Sequence, residues 1–177
     1  MIKHPKISIY IAQSIDGYIA REDGGLDWLE YGHVGDEDYG FKQFINSIDA
    51  IVLGRNTYDV VCGFGNWPYE GKKVIVLSHT LKEVRNEAEL FCGKLTDLAS
   101  GLYADGIKRV WVDGGITACR FLEAGLVDDI TLSIIATVLG SGIRLFTPMN
   151  KEHKCHLVST QSYPSGLVQL QYTIIKD

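Results

Sequence analysis

The sequence predicts an α/β fold: a mostly parallel central sheet with helices on both faces and an antiparallel hairpin at its C-terminal edge. Three observations predict it. Ahead of Asp128, short apolar runs alternate with stretches of helical periodicity. The runs Ala50–Leu53 and Lys73–Ser78 are apolar nearly throughout, as strands buried on both faces are. From Asp128 onward strict alternation returns without helices between the strands.

Residues 7–12 alternate, with Ile7, Ile9 and Ile11 on one face and Ser8, Tyr10 and Ala12 on the other, so they form the first strand. Asp16-Gly17 is a turn, and Tyr18-Ile19-Ala20 resumes extended structure. Residues 21–35 are polar and glycine-rich around Trp28 and Leu29 and read as a long loop, a length that makes it a functional candidate. Asp36 to Asp49 reads as a helix: Phe41, Phe44, Ile45 and Ile48 form an i, i+3, i+4, i+7 stripe. Asp36, Glu37 and Asp38 would crowd its first turn, where negative charge suits the helix dipole. The strand Ala50–Leu53 ends at Gly54, and a short helix begins around Asn56-Thr57. Strands follow at Lys73–Ser78 and Ala88–Cys92, then a helix carrying Leu95, Leu98, Ala99 and Leu102 and closed by Asp105-Gly106. Arg109–Val112 is a strand, and Gly114-Gly115 leads into a helix with Cys119, Leu122 and Leu126 inward. In the last part Ile130, Leu132, Ile134, Ala136 and Val138 oppose Thr131, Ser133 and Thr137, and the runs 155–163 and 167–175 flank Pro164-Ser165-Gly166 as a hairpin. No linker or repeat divides the chain, so residues 1–177 are expected to form one domain.

Composition narrows the function. The 177 residues carry 17 Lys+Arg against 22 Asp+Glu, a net charge of −5, and the longest basic runs are pairs. Such a chain is a poor binder of nucleic acid or of an anionic membrane surface. No apolar stretch reaches the ~18–20 residues of a membrane span. The first residues lack the apolar core of a signal peptide, so a cytoplasmic protein is expected. Cys62, Cys92, Cys119 and Cys155 lie at no metal-ligand spacing, nor do the five histidines, and no metal site is expected. Buried free thiols are the reading for the four cysteines.

Two places have the form of phosphate cradles. One strand runs into Gly54-Arg55-Asn56-Thr57 and a helix; another runs into Asp113-Gly114-Gly115-Ile116-Thr117 and a helix. Glycine lets a ligand approach the backbone, and the free N–H groups of a helix start favour anions. One such junction is commonplace; two, one bearing an arginine, point to a nucleotide with separate phosphate groups. Neither matches G-x-G-x-x-G or the Walker pattern. For the acids 36–38, helix capping competes with a carboxylate turned into a cleft to bind a heterocycle or handle a proton. His79, after its strand, is either an exposed loop residue or a phosphate contact, and Trp28 and Trp67 are core or cleft residues.

Several motifs are familiar. Ala12-Gln13-Ser14-Ile15-Asp16-Gly17-Tyr18-Ile19-Ala20 resembles the opening A-x-S-[LI]-D-G-x-I-A of the reductase domain of bacterial riboflavin biosynthesis. Gly125-Leu126-Val127-Asp128-Asp129-Ile130 and Val138-Leu139-Gly140-Ser141-Gly142-Ile143-Arg144-Leu145-Phe146 resemble that family's late signature. Leu53-Gly54-Arg55-Asn56-Thr57-Tyr58 is similar to the M-G-R-x-T-[WY] element of dihydrofolate reductase, Val74–Ser78 to its next strand, and Gly114-Gly115 to its glycine pair. In order, they cover about residues 7–175, and the chain is identified as a stand-alone member of the dihydrofolate-reductase-like superfamily.

The resemblance implies a dihydrofolate-reductase-like fold and an NADPH-dependent reductase, in which the cofactor carries the hydride and the protein orients it. By motif position Ala12 and Ile19 would contact the nicotinamide. Arg55, Ser78 and His79 would hold the adenosine 2′-phosphate. Gly54, Thr57 and Gly114-Gly115-Ile116-Thr117 would cradle the pyrophosphate, with a cis peptide between the two glycines. Trp28 would lie in a mobile loop over the active site. The substrate acid, counted back from Phe41-Lys42, falls on Glu37, with Asp36 and Asp38 as neighbours in register, and Ser133 would support it. The implied reaction is that of a 5-amino-6-(5-phosphoribosylamino)uracil reductase, on a pyrimidine- or pteridine-like heterocycle. Dihydrofolate reductase and a non-catalytic nucleotide-binding protein are the alternatives. Relatives with the late signature usually pair, and the alternating C-terminal edge suits a homodimer.

Overall fold

The computed structural model describes residues 2–176. Its centre is an eight-stranded sheet in the order β5-β4-β3-β6-β1-β7-β10-β9, built from β1 (Lys6–Ser14), β3 (Ala50–Gly54), β4 (Lys73–Leu77), β5 (Ala88–Phe91), β6 (Arg109–Asp113), β7 (Asp129–Ile135), β9 (Cys155–Ser162) and β10 (Val168–Ile174). Every pair from β5 to β7 is parallel, whereas β10 runs antiparallel to both β7 and β9. The expected antiparallel edge hairpin is therefore present. A separate two-stranded sheet pairs β2 (Tyr18–Ala20) with β8 (Ile143–Arg144).

Helices cover both faces. Helix α2 (Arg55–Cys62) and α1 (Phe41–Asn46) pack Tyr58, Val61 and Phe44 on Ile51, Leu53, Val74, Val76 and Trp111. Helices α3 (Leu95–Ala104) and α4 (Gly115–Glu123) bring Leu98, Leu102, Phe121 and Leu122 onto the opposite face, against Ile7, Ile9, Val52, Ile75 and Val112. Alternate residues of one strand thus feed two cores, which is why β3 and β4 read as unbroken apolar runs.

Three expectations change. The helix expected over Asp36–Asp49 spans only Phe41–Asn46. Tyr39 and Gly40 have φ of 56° and 83°, a left-handed pair that breaks the chain's path just before it. The segment read as loop between 21 and 35 contains a 3-10 helix at Asp27–Gly32. Of the four free cysteines only Cys119 is buried, and Cys92 and Cys155 are exposed. No helix is long and apolar enough to cross a membrane among the described residues.

Candidate functional site

Strands β3 and β6 are neighbours, but β3 continues into α2 on one face and β6 into α4 on the other. Where chain directions diverge in this way, the carboxyl ends of parallel strands leave a crevice. A cleft of about 610 Å³ opens there, between the first turns of α2 and α4. Neither helix has a side-chain cap at its N-terminus, and Gly54 and Gly114 occupy the two cap positions. The first N–H groups of both helices are therefore unclaimed by side chains and give the cleft partial positive charge.

The two junctions interlock. A Cβ on Gly54 would come closer than 3.0 Å to Thr117 Oγ1 on α4, and a Cβ on Gly114 would do the same to Thr57 Oγ1 on α2. Each glycine thus lets the other helix's threonine sit against the backbone. Gly114 also has φ of 95°, a conformation side chains resist. Gly115 lies against the Arg144 and Leu145 carbonyl oxygens, 2.8 and 2.9 Å from where its Cβ would be, so α4 starts hard against the end of β8. The peptide between Gly114 and Gly115 is trans, because no cis bond occurs among the described residues, and the expected cis turn is corrected. The positive φ of Gly114 supplies the bend instead.

Ala12, Ile19, Gly54, Arg55, Thr57, Gly114, Gly115, Ile116 and Thr117 all line the cleft. The Arg55 guanidinium donates to Thr80 Oγ1 at 2.8 Å and reaches Asp59 at 3.4 Å. Ser78 is buried beside it, and its hydroxyl accepts the N–H groups of Thr80 and Leu81 at 3.2 and 3.0 Å. Ser78 therefore shapes the turn that presents Thr80 to Arg55 rather than lining the cleft itself. His79 points elsewhere, its Nδ1 2.9 Å from the Cys92 thiol.

The residues expected on the substrate side are not brought together. Trp28 is fully buried, packed on Ile135 and Leu167 with Ala12 and Leu29 alongside, so its side chain belongs to a core and does not line the cleft. Its neighbours Leu26 and Leu29 line the cleft in its place. Glu37 is exposed and accepts the Tyr39 N–H at 2.9 Å within its own loop, while Asp38 accepts from Lys42 and Gly40. Ser133 is buried and receives a hydrogen bond from Gln169 at 3.1 Å, with no contact to Glu37. That glutamine also donates to the Tyr10 hydroxyl at 3.0 Å, and Tyr10 in turn donates to the Tyr39 carbonyl at 2.7 Å. Burial pushes the Tyr10 phenol up to about 12, so it remains a neutral donor.

Asp113 was not singled out from the sequence. It ends β6 and lines the cleft immediately before the glycine pair. One carboxyl oxygen accepts the Gly114 N–H at 2.9 Å. Burial raises its pKa to about 6, only partly opposed by that hydrogen bond. A carboxyl held in this way is partly protonated near neutrality and can give up a proton inside the cleft. The signal was available: an acid at the carboxyl end of an apolar parallel strand points to where ligands bind in such sheets. Phe41, Tyr10 and Arg120 also line the cleft, and only its assembled shape identifies them.

Asp16 joins the two segments that carried the resemblance. Its carboxylate accepts from Ser14 Oγ at 2.6 Å and from the Leu139 and Gly140 N–H groups at 3.1 and 2.7 Å. Those bonds, the Ser14 hydroxyl first, hold its pKa down at about 2.

Comparison with known proteins gives the family and the fold. The family model of the RibD C-terminal domain matches residues 5–169. YwjB of Bacillus subtilis, an uncharacterised protein, is 32% identical over 170 residues, covering 94% of this chain and 97% of its own. A crystal structure from Shewanella sp. PV-4, of a candidate riboflavin biosynthesis protein, superposes with a TM-score of 0.91 at 34% identity over 97% of this chain and 99% of that one. The dihydrofolate reductase of Enterococcus faecalis, solved with NADP(H), shares the fold at a TM-score of 0.69 and 20% identity, over 97% of both chains. The chain belongs to the RibD C-terminal domain family, and its fold is dihydrofolate-reductase-like.

Proposed function

We propose that this member of the RibD C-terminal domain family is a cytoplasmic, homodimeric, NADPH-dependent reductase of a pyrimidine- or pteridine-like heterocycle, acting as one domain. The observation that carries the reading is the pair of interlocked glycine junctions, which aims two uncapped helix starts into one cleft, with Arg55 at its rim. The residues fit a dinucleotide. A pyrophosphate would meet N–H groups at 54–57 and 114–117, and a 2′-phosphate would meet Arg55 and Thr80. The E. faecalis enzyme of the same fold was solved with NADP(H), which agrees with this choice of cofactor.

When bound, NADPH would supply a hydride to an electrophilic carbon of the substrate. The chain's own contribution is to exclude water, orient the ring and provide the matching proton. Ala12, Ile19 and Ile116 give the ring an apolar seat, and Asp113 holds a proton at the cleft floor for the nitrogen or oxygen bonded to that carbon. The 5-amino-6-(5-phosphoribosylamino)uracil reductase reaction is the model for this chemistry. The homodimer is supported by β9, whose exposed Leu157 and Val158 lie along an unpaired edge.

The test is oxidation of NADPH, followed by its absorbance, with a panel of dihydropterins, dihydrofolate and ribosylaminouracils. Turnover with at least one of them, faster with NADPH than with NADH, is expected. Tight NADPH binding with no turnover across the panel would instead favour a nucleotide-binding protein.

A further inference from the structure

The cleft is chemically lopsided. Among the described residues the cations that line it are Arg55 and Arg120, on α2 and α4, in the half that the two helix starts define. The rest of its lining is largely apolar, with Ala12, Leu26, Leu29, Phe41 and Ile143, and with Ile19 reaching the start of α4 beside Gly115. Phe41 keeps 38% of its surface exposed although it backs onto Tyr10 and Trp111 edge to face, so an open aromatic surface faces the cavity. Two basic residues near this wall are engaged elsewhere. Arg21 forks onto Asp27 with two bonds of 2.7 Å, and Arg144 lies over the Tyr18 ring at 4.7 Å. The acid that lines the cleft is Asp113, whereas Asp36, Glu37 and Asp38, in the loop that leads to Phe41, do not line it.

A phosphate monoester is held by charge-assisted donors, usually a forked arginine or a helix start. An apolar wall offers it none, and an unpaired anion moved from water to such a wall is strongly disfavoured. The Asp113 carboxylate adds like-charge repulsion. A flat, neutral ring loses little there, since it exchanges water for Phe41 and the leucines and presents its polar edge to Asp113.

We propose that the substrate half of this cleft selects an uncharged planar nitrogen heterocycle and rejects its phosphorylated or otherwise anionic counterpart. This rests on the reductase reading above for the location of the cofactor half. It sets the chain apart from an enzyme that takes a ribose-phosphate, within the same reaction type.

Two matched pairs test it by calorimetric titration into the free protein and the protein loaded with NADP+. One pair is 5-amino-6-(ribosylamino)uracil with and without its 5-phosphate; the other is dihydrofolate and a dihydropterin lacking the glutamate tail. In each pair the uncharged member should bind at least about ten-fold more tightly, a difference of about 1.4 kcal/mol. Leu26→Lys, which places a cation on the wall, should narrow the gap by roughly the same factor. Equal or tighter binding of either anionic member, or no binding by any of the four, would overturn the proposal. Failure of NADP+ to bind, with the preference for the uncharged members intact in the free protein, would instead sink the cofactor reading and leave this one standing.

Discussion

Gly54 and Gly114 make the same kind of contact but differ in backbone conformation, and that difference gives a sharp prediction. Gly54 has φ of −75° and ψ of 162°, which any residue adopts. The penalty of Gly54→Ala therefore comes from one collision, its Cβ against Thr117 Oγ1. Thr117 is 4% exposed and held in the first turn of α4, so it has little room to yield. Overpacking of this kind costs about 1–3 kcal/mol. Thr117→Ala removes the colliding oxygen, and the nearest remaining atom is Thr117 Cβ at 3.8 Å, ordinary contact. The double variant should then be little less stable than Thr117→Ala alone, with a coupling of about 1–3 kcal/mol in the cycle. Gly114→Ala meets Thr57 in the same way but also forces φ of 95° on an alanine. Removing the Thr57 side chain relieves the collision and not the backbone, so roughly 1–3 kcal/mol should persist. Urea unfolding with the slope checked for constancy measures both cycles. By heat, each 1 kcal/mol corresponds to about 2–4 °C in a chain of this size. An additive cycle at Gly54 would refute the interlock, and full rescue of Gly114→Ala by Thr57→Ala would refute the backbone strain at Gly114.

Other outcomes follow from the same geometry. Arg55→Ala should raise the Michaelis constant for NADPH about ten- to 150-fold, the range for one charge-assisted hydrogen bond, and leave that for NADH nearly unchanged; parallel changes would assign Arg55 to its ion pair with Asp59 instead. Asp113, raised to about 6, binds its proton in the folded chain between roughly pH 4 and 6 where the unfolded chain has lost it, so stability falls as pH rises through that window. Asp113→Asn keeps an acceptor for Gly114, removes this fall and leaves the variant relatively more stable above pH 6, while turnover drops about 10²–10⁴-fold and loses its decline above the same pH. Glu37→Gln, exposed and bonded only within its loop, should leave that profile in place. Light scattering should give a mass near twice 19.6 kDa, and the monomer mass would remove the proposed pairing through β9.

The sheet was legible because parallel strands covered on both sides must be apolar on both sides, and Ala50–Leu53 and Val74–Leu77 can be nothing else. The helix over 36–49 was only half legible. Its apolar stripe is real, but the stripe carries no sign of the left-handed pair Tyr39-Gly40 that delays its start. The acids before it then serve turns, and Asp38 holds the N–H groups of Gly40 and Lys42. Tyr18–Ala20 was legible as extended, but its partner β8, two residues long, is too short to show a period, so the pairing of the small sheet was not. In the site, glycines at strand ends announce themselves locally. Trp28 and Ser133 are different, because their burial depends on Leu167 and Gln169, more than 30 residues away. Asp113 lay in plain view, yet its significance depends on burial that only packing creates.

The most direct measurement is a crystal structure of this chain grown with NADP+. The account predicts pyrophosphate density between residues 54–57 and 114–117, the 2′-phosphate on Arg55 and Thr80, and the nicotinamide against Ala12 and Ile19 with the Asp113 carboxyl facing the space beside its C4. A dinucleotide bound in any other place, or a cleft that stays empty at saturating NADP+, would contradict it.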